Sequence, residues 1–268
     1  MVENWKECIV LRQANGQRLF GIIHRPPTEE SSPAVLICHG LGGNKVGRHR
    51  LYLQLADMLA QEGITCLRLD FRGAGDSDCS FNDMTIESQV SDALLGLEYL
   101  FDCSRVDAQR VGICGSSLGG AIAVMAAQRS NRVASLALWA PFFNADPWRV
   151  RWQQLCEAIP PDKRNLQDEL CFEGQVGHWQ LFEQLFKLRL EDTLASLRAI
   201  PLLHVHGSLD LVIPFSQADL WRLHRCAASA ETAMIALPKT DHNFANLAER
   251  NTMLSLTQQW FVRTLAER

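Results

Sequence analysis

Short apolar runs set against segments of helical period constrain this chain more than any other feature. AVLICHG, ITCLRLDFRG, RVGICG and SLALWAP are each brief and largely apolar, and the first three end in glycine. A strand wetted on one face alternates polar and apolar residues, so a run without that alternation reads as a strand covered on both faces. The intervening segments follow another rule. Leu51, Leu55, Met58 and Leu59 recur at helical spacing up to Gly63, and Ile86, Val90, Ala93, Leu94 and Leu97 mark one face of a second helix. LGGAIAVMAAQRS supplies a third directly after RVGICG. Strand, helix, strand in repetition predicts βαβ crossovers, hence an α/β fold with a mostly parallel twisted sheet and helices on both faces.

The ends of the chain extend this pattern. ECIVLRQ and QRLFGIIHR flank the turn-prone ANG and predict a hairpin, while IPLLHVHGSLD, SQADLWRLHRCAA, TAMIALP and AERNTMLSLTQQWFVRTLAER predict strand, helix, strand and closing helix. From Asn144 to about Leu197 the rhythm breaks. That stretch is too long for a plain loop within a compact domain, so it is expected to carry helices and to lie over one edge of the sheet as a lid. Residues 1–268 are read as a single domain, with 144–197 as its lid insertion.

Bulk properties remove several function classes. A formal net charge of -4 gives no basic footprint for nucleic acid. The longest apolar run, VASLALWAPFF, is too short to span a membrane, which takes about 20 residues. Glu3 and Glu7 stand where a secretory signal needs basic residues, so the expected location is cytoplasmic. The nine cysteines are scattered without a C-x-x-C pair, and Cys38, Cys66 and Cys114 sit in apolar runs as small core hydrophobes. No metal and no cofactor is expected.

The chemistry gathers at the predicted strand ends. In GICGSSLGG only Ser117 centres a G-x-S-x-G pattern, because a frame on Ser116 would need glycine at Cys114 and Leu118. The pattern suits a sharp turn from strand to helix that leaves the hydroxyl exposed above the sheet. A serine hydroxyl is a weak nucleophile unless a base takes its proton, and that base needs an orienting carboxylate. Asp210 in HVHGSLDLVIP and His242 in LPKTDHNF follow downstream, each after a predicted strand. Asp241 adjoins His242, but neighbouring side chains diverge. His204 and His206 lie two apart on a strand, as metal ligands can, yet no third ligand is spaced to join them. The glycines of CHGLGGNK free backbone amides to face a cleft, so the amides of Leu41 and Leu118 are the candidate oxyanion donors.

These stretches together resemble the α/β-hydrolase family: HGLGG its oxyanion loop, DFRGAGDS the loop after its next strand, GSSLGG its nucleophile turn, HGSLDLVIP its acid loop and DHNF its histidine loop. The chain looks most like intracellular serine esterases of the feruloyl or cinnamoyl esterase and monoacylglycerol lipase-like group, although Leu41 interrupts the glycine run that makes an HGGG loop in some lipases. The resemblance implies Ser117 as nucleophile, His242 as general base and acid, and Asp210 as its orienter. The implied reaction is cleavage of a small-molecule ester bearing an acyl or aryl group. Thioesterase, amidase, peptidase or acyltransferase chemistry on the same residues stays open, as do a non-catalytic binding role and a homodimer. Trp148, Trp152, Trp179, Phe172, Phe182 and Phe186 either line an acyl pocket or form the insertion's own small core.

Overall fold

The computed structural model describes residues 5–28, 30–160, 163, 171–172 and 175–266. The strands are β1 (Trp5–Arg12), β2 (Arg18–Arg25), β3 (Ser32–Cys38), β4 (Thr65–Leu69), β5 (Val106–Ser116), β6 (Ser135–Trp139), β7 (Cys171–Phe172), β8 (Gln175–Val176), β9 (Leu202–Gly207) and β10 (Thr232–Leu237). The α-helices are α1 (Leu51–Gln61), α2 (Ile86–Asp102), α3 (Leu118–Ser130), α4 (Arg149–Ala158), α5 (Trp179–Lys187), α6 (Glu191–Ser196), α7 (Gln217–Arg225) and α8 (Leu247–Phe261).

One sheet takes the order β1-β2-β4-β3-β5-β6-β9-β10, and β7 with β8 forms a separate small hairpin. From β4 to β10 neighbours run parallel, as βαβ crossovers require. The N-terminal hairpin joins this sheet through β2, which pairs antiparallel with β4. That pairing was not legible in the hairpin's own sequence.

The apolar runs are continuous because their two faces feed two cores. Leu36, Leu67, Ile113 and Leu136 pack with residues of α2 and α3, whereas Val35, Ile37, Cys66, Cys114 and Ala137 pack with α1 and α8. Alternate residues thus face opposite layers. Cys38, Cys66 and Cys114 are fully buried, and burial pushes the Cys66 thiol up to about 12. The helix stops and starts obey local chemistry. Gly63 takes φ +78 after α1, and Thr85 Oγ1 caps α2 by accepting from the Ser88 amide at 3.0 Å.

The stretch from Asn144 to Leu197 is not uniform. Its helices α4 and α5 stand over the carboxyl ends of the strands, where they wall a cavity above Ser117, while α6 packs with α3 and α7 in the layer covering the sheet. β6 and β9, the strands on either side of this stretch, are hydrogen-bonded neighbours within the sheet. The described helices α4 and α5 of this segment therefore lie over the strand ends. Residues 161–162, 164–170 and 173–174 fall outside the described part of it.

Candidate active site

β5 ends at Ser116 and α3 begins at Leu118, so Ser117 alone makes the turn, with φ 56 and ψ -126. A non-glycine residue at positive φ is held there only by its surroundings. Two glycines make the turn sterically feasible: a Cβ at Gly115 would lie 2.4 Å from the Gly119 carbonyl oxygen, and one at Gly119 would lie 2.3 Å from that of Cys38. The Ser117 amide donates to the Trp139 carbonyl at 2.9 Å, and its own carbonyl accepts from Gly120 and Phe142, each at 3.0 Å. Although Ser117 occupies the N-cap position, its hydroxyl makes no cap hydrogen bond to α3. Ser116 has a different partner, the buried phenol of Tyr52.

The Trp139 ring ties this turn to its neighbours. It stacks on Tyr52 at 6.0 Å, meets Phe244 edge-on at 6.3 Å, and donates its indole N–H to Thr257 Oγ1 at 2.9 Å.

Asp210 and His242, 32 residues apart, meet at 2.7 Å between Oδ2 and Nδ1. The other carboxylate oxygen accepts from the Val212 and Ile213 amides, both at 2.8 Å. Burial alone would raise the Asp210 carboxyl, but hydrogen bonds from His206 and His242, with the Ile213 amide, outweigh it and hold the group at about 2. Asp241 instead accepts from the amides of Asn243 and Ala245 in its own loop. His242 and Ser117 line one cavity.

Leu41 and Leu118 border Ser117 from two sides. Among the described residues neither backbone amide donates to a protein acceptor. The loop bearing Leu41 is fixed at both ends by the stretch after β4. His39 Nε2 accepts the Phe71 amide at 3.1 Å, and burial holds this imidazole neutral. Asp70, fully buried, accepts the Lys45 amide at 2.6 Å and its ammonium at 2.5 Å. Asp70 also accepts the Asp76 amide at 2.9 Å, closing the DFRGAGDS loop on itself. This clamp gives DFRGAGDS a physical role that the sequence left unassigned.

Two cavities meet at Ser117, sharing Leu41 and Val212. The apolar one, about 280 Å³, is walled by Trp148, Trp152, Leu155, Phe182, Leu185 and Phe186 from the insertion, with Phe142 and Ile213 below. The polar one, about 450 Å³, is bounded by Gly40–Asn44, Arg48, Tyr52, His242 and Asn243. The insertion aromatics divide between lining this cavity and packing on one another. Trp179 is buried with Ile159 behind Trp152, 4.5 Å from it, while the other four described aromatics face the cavity. The Phe172 side chain lies outside the described residues.

His204 and His206 bond to each other, Nε2 to Nδ1, at 3.1 Å. His206 Nε2 in turn stands 3.2 Å from Asp210 Oδ2. The sequence offers this pair as metal ligands without a third, and the contact with Asp210 was missed, although histidine at a strand end four residues before a loop aspartate is a usable signal. Among the described residues no group of three or more His, Cys, Asp or Glu is arranged to hold a metal ion, and no helix is long and apolar enough to cross a membrane.

Comparison with known proteins places this geometry in a family. The quorum-quenching protein AidA of Acinetobacter baumannii (strain MDR-ZJ06) is 33% identical over 130 residues, 48% of this chain, and the match spans only 42% of AidA. Protein Rv2307c of Mycobacterium tuberculosis (strain ATCC 25618 / H37Rv) is 28% identical over 258 residues, covering 96% of this chain and 79% of its own. Est1E from Butyrivibrio proteoclasticus, solved with ferulic acid bound, superposes with a TM-score of 0.79 at 20% identity, over 96% of this chain and 99% of Est1E. The family model described as serine aminopeptidase, S33, matches residues 29–247. With that match across the parallel sheet and its strand-end loops, the chain belongs to this family of α/β-hydrolases.

Proposed function

We propose that the protein is a serine hydrolase that cleaves carboxylic esters through an acyl-enzyme on Ser117. His242 takes the Ser117 proton as Oγ attacks the ester carbonyl, and the amides of Leu41 and Leu118 bear the resulting oxyanion. Collapse of that intermediate breaks the bond to the alcohol, which leaves with the proton from His242. Water, deprotonated by the same imidazole, then releases the acid and restores Ser117.

The observation that carries this reading is the 2.7 Å bond from His242 Nδ1 to Asp210, which leaves Nε2 for a serine hydroxyl on the wall of the same cavity. The leaving alcohol must receive its proton from His242. It therefore belongs in the polar cavity, and the acyl group in the apolar one. An aminopeptidase must seat a protonated α-amino group, yet among the described residues the apolar cavity is lined by no carboxylate and by one charged side chain, the cation Arg151. That favours esters of apolar acids over aminoacyl substrates.

The test is a fluorophosphonate probe on the wild type and Ser117→Ala, followed by p-nitrophenyl acetate through octanoate, methyl ferulate, an acyl-CoA and an aminoacyl anilide. The expected result is labelling that vanishes in Ser117→Ala, with esters turned over fastest. Turnover of the acyl-CoA alone would assign a thioesterase, turnover of the anilide alone an amidase or peptidase, and acyl transfer to an added alcohol in preference to water an acyltransferase. An unlabelled wild type would leave a binding protein on a hydrolase scaffold.

A further inference from the structure

The proposed mechanism leaves His206 unused, although it contacts the carboxylate on which that mechanism depends. The ring is fully buried at the end of β9. Its Nε2 lies 3.0 Å from the Ile213 carbonyl oxygen and 3.2 Å from Asp210 Oδ2. A carbonyl and an ionised carboxylate only accept, so the proton of a neutral ring here is on Nε2. Nδ1 is then an acceptor, and it meets His204 Nε2 at 3.1 Å, which must donate. The remaining atom, His204 Nδ1, is buried with no hydrogen-bond partner among the described residues, as the unprotonated nitrogen of a neutral ring would be. Burial, with the Arg222 cation nearby, holds His204 neutral. The donor chain therefore runs one way, from His204 through His206 to Asp210 and the Ile213 carbonyl.

We infer that His206 is a positioning residue: its Nε2–H fixes the Asp210 carboxylate, draws off part of its charge, and so sets the pH at which His242 becomes available as a base. This rests on the assignment of Asp210 and His242 made above. Oδ2 is shared by two imidazole donors, so strengthening one contact weakens the other. The titratable and charged groups around His206 are His204 on the same strand, Asp210 in the loop that follows, His242 from the histidine loop and, through His204, Arg222 on α7. Phe215 covers the ring edge-on at 5.4 Å. Without the His206 donor, Asp210 presents its whole charge to His242 and holds the imidazolium more firmly, so the free base forms only at higher pH.

The experiment is ¹⁵N NMR of histidine-labelled wild type, His206→Gln and His206→Phe, titrated with pH, beside pH profiles of kcat/KM on p-nitrophenyl butyrate. In wild type, both His204 and His206 should show the Nε2–H pattern. In His206→Phe, the midpoint of the His242 titration and the acid limb of kcat/KM should move up together by about 0.5 to 1 pH unit, the scale of one lost hydrogen bond. Glutamine can place an N–H near Nε2, so His206→Gln should return both toward the wild-type position. A packing role alone would change the melting temperature and leave both midpoints fixed, which overturns the inference. An Nδ1–H pattern for His206 in wild type overturns it as well, and decides the matter if the phenylalanine variant does not fold. A wild type that turns over no ester defeats the proposed reaction, while the NMR midpoint still reads the effect of His206.

Discussion

The two cavities beside Ser117 differ in what builds them. The polar one is bounded largely by main chain of the glycine-rich loop after β3 and by the loop carrying His242, both anchored to the sheet. The apolar one is walled largely by side chains of α4 and α5, which lie over the strand ends, with α5 also packed on α2. On the proposed reaction this is a division of labour: strand-end loops hold the groups suited to bond cleavage, while the insertion supplies the apolar wall that would sort substrates. Side chains on α4 and α5 can change without moving Asp210, His242 or the turn at Ser117.

This division can be broken most directly at the polar cavity. Asp210→Asn or His242→Ala should lower kcat on the order of 10⁴-fold with KM little changed, measured on p-nitrophenyl butyrate. Retention of a tenth of the activity would place the chemistry elsewhere. Gly119→Ala comes next. Its new Cβ meets backbone that cannot rotate aside, so thermal unfolding should show a loss of about 3 kcal/mol, the upper part of the range for overpacking. Trp152→Ala should reach only the apolar side, lowering kcat/KM for octanoate relative to acetate by about 30-fold, as expected for a lost hydrophobic wall. An equal loss on both esters would show that α4 supports the chemistry itself.

Acid titration gives a smaller effect with a defined sign. The folded Asp210 carboxyl, at about 2, lies below its ordinary value near 4. Its contribution to stability is therefore complete above about pH 4 and is lost as pH falls toward 2. Urea midpoints taken across that window should fall more steeply for wild type than for Asp210→Asn. Smallest of all, Arg151→Ala removes an exposed cation from the apolar cavity and should raise aminoacyl anilide cleavage by about 3-fold, a size usual for a solvent-screened charge.

How much was legible in the sequence follows from the same division. The placement of Ser117, Asp210 and His242 at strand ends could be read because a strand-to-helix turn imposes small residues at fixed spacing, and because strand ends are marked by apolar runs that stop. The Asp70–Lys45 clamp and the His206 contact could not, since each depends on which loops the sheet order brings together. The same holds for β2 against β4. Within the insertion, helical spacing shows that Trp152 and Trp179 are apolar positions but not which faces the cavity. That is decided when Trp179 donates to Glu183 and packs behind its neighbour.

Trp139 carries one last consequence. Its carbonyl holds the amide of Ser117 while its ring rests against Phe244, two residues beyond His242. An indole is flat and incompressible, and this one is fully buried and pinned by its N–H to Thr257. It acts as a shim: the gap between the serine turn and the histidine loop is gauged by the dimensions of one buried aromatic ring.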